Sequence, residues 1–242
     1  MAVKTLLDDA MQAINALRSG GCHVHSVTNT VAQNFTANVL LACGATVSMT
    51  ANPEEIESFL AKAQALHINL GTLDEKRVEA ITKAVKFAGN NQIPVTLDPV
   101  MIHMSKVRQQ LASDLAESAS IIRCNQKEAE ALGISGGSQT RLVKTGSIDE
   151  VETGDCTIKV KNGHPMMSKV IATGCAQGAL ISALSAKTSN LGSAALAGVL
   201  WFSVAGEVAA EKVNGPGSFQ MAFLDELHGI TVETIRRRAK LS

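Results

Sequence analysis

A cysteine at the start of a small-residue segment is the leading candidate for chemistry in this sequence. Cys175 follows Ala172, Thr173 and Gly174, and the alanine- and glycine-rich residues after it have helical character. A small-residue turn that opens a helix leaves backbone N–H groups free at the positive end of the helix dipole, where an anion such as a transferring phosphate can bind. The same field predicts a lowered pKa for the Cys175 thiol. A plain helix cap is the alternative explanation of the same residues.

Carboxylates and an arginine follow predicted strands elsewhere in the chain. Asp98 lies near the end of the β-rich run 93–100 (IPVTLDPV), and Arg123 ends the run 120–123 (SIIR). Glu128 lies one turn into the helix predicted after Arg123. Asp98 and Glu128 could together hold a hard cation such as Mg²⁺, whereas Asp98 could also simply cap the following segment. Arg123 could grip a phosphate with its forked guanidinium, or it could pair with a carboxylate.

The histidines are weaker candidates for chemistry. His23 and His25 lie on one side of a predicted strand, but no third metal ligand accompanies them, so a structural role is favoured. A cysteine hydrolase, the rival use of Cys175, would need a histidine base oriented by a third group. His164, in the turn 162–165 (NGHP), is the candidate nearest to Cys175 in sequence and is better explained as a turn residue. Phosphoryl transfer is therefore favoured over nucleophilic hydrolysis.

Length and composition are typical of one large α/β domain that covers residues 1–242. The chain is 45% hydrophobic but only 3% aromatic, and its 22 basic and 22 acidic residues cancel. A neutral chain with few aromatic rings for base stacking is not expected to bind nucleic acid or acidic membranes. The 5 cysteines are scattered and lack a CxxC pair, so neither a disulfide framework nor a zinc site is indicated.

Neither apolar stretch of the chain is predicted to be a membrane or export segment. The N-terminal amphipathic helix carries acidic residues, unlike a signal peptide. Residues 188–206 approach transmembrane length, but they are rich in glycine, serine and alanine and are followed directly by Glu207, so we expect a buried core helix. The sequence therefore predicts a cytoplasmic protein with small-molecule partners.

Predicted strands and helices alternate along most of the chain, which indicates a mostly parallel sheet with helices on both faces. We expect strands at 23–27, 45–49, 66–70, 93–100, 120–123 and 141–144, and a hairpin over 150–160 with its turn near 154–155. Helices are expected at 6–17, 31–43, from Asn52-Pro53 to about 63, 73–89, 106–118, 126–132, 176–186, 191–213 and 219–240.

Polar residues and glycines recur just after the predicted strands. They are Asn29, Met49, Gly71, Asp98, the segment 123–125 and the pair Thr145-Gly146. In an open parallel sheet, the carboxyl ends of the strands form the ligand crevice. A crevice with an acid, an arginine, an amide and several glycines suits a phosphorylated ligand with a metal ion.

Several segments together resemble the hydroxyethylthiazole kinase family, which belongs to the ribokinase-like fold group. They are residues 25–55, 69–72 (NLGT), 97–100 (LDPV), 123–128 (RCNQKE), 143–146 (VKTG), 162–175 (NGHPMMSKVIATGC) and 215–220 (GPGSFQ). The likeness runs through nearly the whole chain in the right order. It implies a three-layer α/β/α domain and ATP-dependent phosphorylation of the hydroxyl of 4-methyl-5-(2-hydroxyethyl)thiazole in thiamine salvage. It also implies Mg²⁺ as cofactor and a homotrimer with sites built between subunits.

The resemblance assigns roles to particular positions of this chain. Residues expected at the thiazole are Met49, Asn29, Val31, Gly71 and Ala172. Arg123 and Thr145 match nucleotide-binding positions, and Asp98 and Glu128 match the acids that serve Mg²⁺ and its waters. Cys175 stands where many ribokinase-like proteins have an aspartate base, and this family characteristically has the cysteine.

The chain also departs from the family pattern. Met101–Met104 and Ala172 replace family glycines, Cys124 replaces another, and residues 131–139 are too few for the second helix usually found there. We expect an abbreviated connection at 131–139 and a phosphate side that is less well preserved than the thiazole side. A degenerate, weakly active thiazole-binding relative is therefore an alternative, as is a ribokinase-like kinase for another small alcohol.

Overall fold

The computed structural model describes residues 3–134, 140–153 and 156–242. Within these residues, eight strands form one mixed sheet in the order β2-β1-β3-β4-β5-β6-β7-β8. The sheet is parallel from β2 to β6, and β7 and β8 are antiparallel to their neighbours. The strands are β1 (His23–Val27), β2 (Thr46–Ser48), β3 (Ala65–Asn69), β4 (Val95–Asp98), β5 (Ile121–Asn125), β6 (Arg141–Thr145), β7 (Asp149–Glu152) and β8 (Thr157–Val160).

Helices cover both faces of the sheet, which confirms the predicted three-layer architecture. The helices are α1 (Val3–Gly20), α2 (Gln33–Ala42), α3 (Ile56–Leu60), α4 (Glu75–Asn90), α5 (Lys106–Ala116), α6 (Gln126–Leu132), α7 (Thr173–Ser185), α8 (Leu191–Ala210), α9 (Pro216–Gly229) and α10 (Val232–Arg238). One apolar core packs α1, α2 and α7–α10 on the sheet, and a second packs α3–α6 on the opposite face. The predicted alternation of strands and helices produces this arrangement.

The predicted helix over 219–240 is wrong, because two helices occupy that stretch. Helix α9 ends at Gly229, and Ile230 adopts extended backbone with φ −64° and ψ 131°. Thr231 then begins α10 by accepting the backbone N–H of Thr234 with its hydroxyl oxygen. A side-chain cap of this kind satisfies a backbone donor that would otherwise lack a partner, so it favours a new helix over a continuous one.

Helix α3 begins later than the proline signal predicted. The Asn52 side chain accepts the Glu54 N–H at 3.1 Å, as a helix cap would, but regular α-helix extends only over Ile56–Leu60. Similarly, α2 begins at Gln33, where the predicted start was residue 31. The predicted Asn52 contact is present, but the regular helices begin after Glu55 and Ala32, neither of which makes a side-chain cap, so both predicted starts were wrong.

The predicted β-hairpin is confirmed by the antiparallel pairing of β7 with β8. Its turn near 154–155 lies outside the described residues. The connection predicted to be abbreviated, 131–139, is described only as far as residue 134. Within that part, α6 ends at Gly133, which adopts the left-handed conformation with φ 68° that glycine accommodates at a helix end.

The most apolar helix, α8, lies in the core as predicted. Among the described residues, α8 is the one helix that is long and apolar enough to cross a membrane. However, 89% of its most apolar 18-residue stretch is buried within the protein. Trp201 anchors it by donating its indole N–H to the Leu227 carbonyl at 3.0 Å.

Candidate active site

The carboxyl ends of the central strands bring the predicted site residues together. In the parallel pair β3–β4, Asn69 lies opposite Asp98 at the last position of each strand. Arg123 lies on β5, the next strand of the sheet, and Asn29 follows β1 by two residues. Helix α7, which carries Cys175, begins above the same edge. Residues from five separate segments therefore share one crevice.

A chain of hydrogen bonds connects Cys175 to Asp98. The Asn29 side-chain amide donates to the Cys175 Sγ at 3.3 Å and to the Asn69 Oδ1 at 3.0 Å. Asn69 in turn donates to the Asp98 Oδ2 at 2.8 Å, and its Oδ1 also accepts the Gly71 N–H at 3.0 Å. Because each amide is oriented by the next one, the thiol and the carboxylate are held in a defined relation.

Arg123 lies between the carboxylate and the start of α7. Its Nη1 is 3.8 Å from the Asp98 Oδ1, and its Nε donates to the Gln177 Oε1 at 3.2 Å. A Cβ placed on Gly174 would lie 2.9 Å from both terminal nitrogens of Arg123. Gly174 therefore allows the guanidinium to approach the first turn of α7. The pairing of Arg123 with a carboxylate, one of its predicted alternatives, is confirmed.

Asp98 is fully buried, and its environment is electrostatically mixed. Its carboxyl pKa is raised to about 6, chiefly by burial and also by Glu128, against the opposing effects of Arg123 and Asn69. Its Oδ1 accepts no hydrogen bond from the described residues. A buried carboxylate oxygen with free lone pairs is suited to a hard cation such as Mg²⁺.

Both carboxylate oxygens of Glu128 accept hydrogen bonds from backbone N–H groups. Its Oε2 accepts the Asn125 N–H at 2.9 Å and completes a capping box at the start of α6. Its Oε1 accepts the Met101 N–H at 2.8 Å. Each oxygen can still accept a second hydrogen bond, for example from a water bound to Mg²⁺. The described residues contain no group of three or more His, Cys, Asp or Glu side chains that could hold a metal ion.

The predicted lowering of the Cys175 pKa is wrong. The pKa of this thiol is raised to about 11, chiefly by burial and also by the charge of Asp98, against opposing effects of Asn29, Arg123 and Asn69. Desolvation of the thiolate, together with a nearby carboxylate, therefore outweighs the favourable field of the helix terminus. The residue is a neutral thiol near pH 7.

Two positions where the family resemblance implies glycine adopt the left-handed conformation. Met101 has φ 58° and Ala172 has φ 67°. Ala172 immediately precedes α7 and makes no side-chain cap, so the first backbone N–H groups of the helix stay open. Both residues adopt this backbone without the freedom of glycine, which is a local strain beside the site.

Three further residues, Gly71, Met49 and Val31, are predicted to line a thiazole pocket. Gly71, two residues after β3, lies very close to Asn29. A Cβ added to this glycine would be 2.5 Å from the Asn29 Cβ. Met49 directly follows β2 and is half-buried. Val31 is 57% exposed. Their roles at a ligand stay predictions.

A cavity of about 500 Å³ extends from Arg123 and Gly174 toward β6. Thr145 lies on its wall and donates its hydroxyl to the Cys124 carbonyl at 3.3 Å. The wall also includes the 162–165 turn and Met167, which lies in the 3₁₀ helix Pro165–Lys169. The predicted nucleotide residues Arg123 and Thr145 thus line one cavity, adjacent to the start of α7.

The histidines have structural contacts. His23 Nε2 and His25 Nδ1 both hydrogen bond to the Ser48 hydroxyl, at 3.0 and 2.8 Å. His164 accepts the Met166 N–H with its Nδ1 at 3.2 Å, which confirms its prediction as a turn residue.

Sequence reasoning missed three polar residues of the crevice. Asn69 connects Asn29 to Asp98, Gln177 holds Arg123, and the fully buried His67 bonds to the Ser26 hydroxyl at 2.9 Å. His67 and Asn69 are two positions apart and so lie on one face of an otherwise apolar strand. This spacing is the signal that could have found them. Gln177 carried no such signal in its sequence neighbourhood.

Solved structures that share this architecture define the class of protein. A ribokinase-like superfamily protein from Enterococcus faecalis V583 superimposes with a TM-score of 0.64 at 14% identity, covering 95% of each chain. A pyridoxal kinase from Bacillus subtilis gives a TM-score of 0.58 at 16% identity, covering 76% of this chain and 91% of that one. The fold is therefore ribokinase-like.

Closer relatives identify the family within this class. The model of the hydroxyethylthiazole kinase family matches residues 14–141 and 133–233. A probable hydroxyethylthiazole kinase from Agrobacterium fabrum is 37% identical over 96% of this chain and 94% of its own length. A hydroxyethylthiazole kinase from Pyrococcus horikoshii OT3 has a TM-score of 0.91 at 33% identity, covering 97% and 98% of the two chains. The chain belongs to the hydroxyethylthiazole kinase family and is a kinase.

Proposed function

We propose that this protein transfers the γ-phosphoryl group of ATP to the hydroxyl of 4-methyl-5-(2-hydroxyethyl)thiazole, a step of thiamine salvage. The observation that supports the proposal best is the convergence of Asp98, Arg123 and Cys175 at the open N-terminus of α7. Phosphoryl transfer depends on positioning and charge neutralisation more than on a strong base. This site offers a cation, backbone N–H groups and a buried carboxylate, and it lacks a basic thiolate.

The residues of the proposed site form a nucleotide side and a thiazole side. Arg123 and Thr145, in the cavity of about 500 Å³, would hold the phosphates and the rest of ATP. Asn29, Met49, Val31, Gly71 and Ala172 would surround the thiazole. The backbone N–H groups of Thr173–Cys175, at the start of α7, would stabilise the charge of the transferring phosphoryl group between the two sides.

Mg²⁺ fits the carboxylates of this site. The Asp98 Oδ1, which accepts no hydrogen bond from the described residues, can ligate it, and Glu128 can bind one of its waters with a lone pair that its backbone contacts leave available. When bound, the ion neutralises phosphate charge and orients the phosphates. One direct carboxylate ligand is typical of Mg²⁺ sites that also use substrate phosphates.

The neutral Cys175 thiol would position the substrate hydroxyl, while Asn29 keeps the sulfur oriented. Asp98, as the proposed Mg²⁺ ligand, has an electrostatic role. Because phosphoryl transfer needs little help from a base, the hydroxyl proton can leave to a phosphate oxygen or to water as the O–P bond forms.

We also propose a trimer in the cytoplasm. Large apolar side chains are exposed in the segments after β1 and β4 and just before α7: Val31 57%, Met101 50%, Met104 71% and Ile171 68%. A neighbouring subunit could bury them and complete the thiazole side. The described cysteines are all free thiols, which suits a reducing compartment.

An assay decides between the proposal and the degenerate alternative, which the strained Met101 and Ala172 favour. Purified protein with the thiazole alcohol, ATP and Mg²⁺ should yield ADP and a phosphate ester detectable by mass spectrometry. Absence of turnover at high enzyme concentration would contradict the proposal. Calorimetry that shows thiazole binding without ATP–Mg²⁺ binding would then support the degenerate relative. Turnover of another small alcohol in preference to the thiazole would support the third alternative.

A further inference from the structure

Glu207 is the charged residue of an otherwise apolar, buried helix. The sequence of α8, LGSAALAGVLWFSVAGEVAA, contains no other charge, and the Glu207 side chain is only 12% exposed. A carboxylate in this setting is costly unless hydrogen bonds and an opposite charge compensate its desolvation. Its contacts therefore indicate why it is there.

The Glu207 carboxylate binds the start of the 162–165 turn. Its Oε1 accepts the Gly163 N–H at 3.1 Å and pairs with the Lys240 Nζ at 2.8 Å. Its Oε2 accepts from the Asn162 Nδ2 at 3.2 Å. Gly163 has φ 129°, which side-chain-bearing residues rarely adopt. The carboxylate thus stabilises a turn whose backbone conformation favours glycine at position 163.

The C-terminal residues form hydrogen bonds with the same turn. The Asn162 Oδ1 accepts the Lys240 N–H at 2.8 Å, and its Nδ2 also donates to the Arg238 carbonyl at 2.9 Å. Further along, Lys159 and Ser242 exchange backbone hydrogen bonds of 2.9 and 3.0 Å. The tail therefore adds to the β8 edge of the sheet and covers the buried Asn162.

Met167, in the segment after the turn, packs against Gly206, which precedes Glu207 in α8. A Cβ on Gly206 would lie 2.5 Å from the Met167 Sδ, so the thioether packs directly on that glycine. Thr173, the first residue of α7, donates its hydroxyl to the Met167 carbonyl at 3.1 Å. On their other side, the turn and Met167 line the cavity that contains Arg123.

We infer that Glu207 is a positioning residue for the nucleotide, because it holds the 162–167 wall of the cavity in the shape that binds ATP. This inference rests on the proposed function, which places ATP in that cavity. Glu207 is separated from the crevice by the turn that it binds, so it acts on nucleotide affinity rather than on the reacting atoms.

Glu207→Gln tests the inference. Glutamine keeps one oxygen, but it removes the charge that pairs with Lys240 and turns an N–H₂ group toward the Asn162 Nδ2. We expect KM for ATP, and its Kd by calorimetry, to rise roughly tenfold, with kcat and KM for the thiazole alcohol within about twofold. The matched control is Glu211→Gln, one turn further along the chain, where the exposed carboxylate pairs with Arg238; its ATP affinity should match that of wild type.

A second variant keeps the test decisive if Glu207→Gln does not fold. Lys240→Ala removes the ammonium partner of Glu207 but retains every backbone hydrogen bond of the tail, and we expect a rise of roughly threefold in the Kd for ATP. Unchanged ATP affinity in the folded variants would overturn the inference. Wild-type protein that binds ATP without phosphorylating the thiazole alcohol would contradict the proposed function alone, because calorimetry reads nucleotide affinity without turnover.

Discussion

At the residue scale, the site is a relay of amides between a thiol and a carboxylate. Asn29 and Asn69 each use both ends of the side-chain amide, so neither can rotate without losing two partners. The carboxylate at the end of the relay is buried and incompletely hydrogen bonded, whereas the thiol is neutral. This arrangement favours a positional role for Cys175 and an electrostatic role for Asp98.

Cys175→Ser should lower kcat about tenfold while KM for the thiazole alcohol changes little. A hydroxyl keeps the hydrogen bond with Asn29, but it is smaller than the thiol and leaves the substrate hydroxyl less well placed. Steady-state kinetics measure both constants, and Cys156→Ser, at an exposed cysteine remote in sequence, is the control. Unchanged turnover in Cys175→Ser would remove the thiol from the chemistry.

Asp98→Asn should stabilise the metal-free protein at pH 8. The folded-state pKa of Asp98, about 6, lies above the ordinary 3.8, so the folded protein retains a proton that the unfolded chain has already lost. The contribution of Asp98 to the free energy of unfolding therefore falls as the pH rises from about 4 to about 6, and asparagine removes that loss. We expect a gain of roughly 1 to 3 kcal/mol at pH 8 that vanishes toward pH 4.

Urea denaturation in EDTA across this pH range measures the Asp98 effect. Asp114→Asn, which removes an exposed carboxylate on α5, serves as the control for the substitution itself. A difference between Asp98→Asn and wild type that is constant from pH 4 to pH 8 would exclude titration of Asp98 as its cause. The same substitution should abolish turnover, since it removes the proposed direct ligand of Mg²⁺.

At the element scale, small residues let helix α7 lie close to the polar strand ends. Gly174 faces the Arg123 guanidinium, and Gly178, one turn later, lies next to His67 and Asp98, which a Cβ would approach to 3.0 and 3.6 Å. The glycine spacing of four residues places both on the face of α7 that meets the sheet. The helix therefore covers buried polar groups that larger side chains would displace.

Gly174→Ala should weaken ATP binding. The added methyl would lie 2.9 Å from both terminal nitrogens of Arg123, so the guanidinium must move away from the phosphate position. We expect KM for ATP to rise tenfold or more, because a charge-assisted contact is weakened. Gly89→Ala, in α4, is the control, since its Cβ meets nothing within 4 Å. Normal ATP affinity in Gly174→Ala would argue against a phosphate contact by Arg123.

Ala172→Gly should stabilise the protein by about 1 kcal/mol, because glycine adopts the observed left-handed backbone without the steric cost of a Cβ. Ala176→Gly, within the first turns of the same helix, should instead destabilise it by about 1 kcal/mol through the low helix propensity of glycine. Urea denaturation compares the two. Equal destabilisation by both substitutions would show that the turn before α7 carries no strain.

At the scale of the whole molecule, one sheet connects two apolar cores of different composition. The larger core contains α7 and α8, which approach closely where Gly198 meets the side chain of Ile181. Both helices consist mainly of small residues, so their backbones can pack tightly beneath the site. The prediction that residues 1–242 form a single domain would be supported by a single cooperative unfolding transition of the whole chain.

The oligomeric state is a prediction at this scale. We expect sedimentation equilibrium to give three times the chain mass of 25.4 kDa, since apolar residues are exposed in the segments after β1 and β4 and just before α7. Ile171→Asp should shift the equilibrium toward smaller species, because Ile171 is 68% exposed just before α7 and an interface would bury its charge. A monomer at all concentrations would show that the crevice functions without a neighbouring subunit.

Local patterns in the sequence predicted the order of the elements and the polar strand ends. Helical and strand periodicities are local, so α6 was predicted over Gln126–Leu132 and β1 over His23–Val27 with the observed bounds. Parallel pairing then places Asp98 and Arg123 at the same edge of the sheet, which made the crevice predictable before any coordinates. The division of residues 219–240 into two helices was missed, because Thr231 gives only a weak local signal.

The tertiary structure decided the chemistry of those residues. The Cys175 pKa rises although the helix terminus favours a lower value, since desolvation and the Asp98 charge depend on groups distant in sequence. Likewise, both Glu128 oxygens accept backbone N–H groups, one of them from Met101 in another loop. Identity and spacing place a residue on an element, but burial and neighbouring charges, which set its protonation and its partners, exist only once the chain is folded.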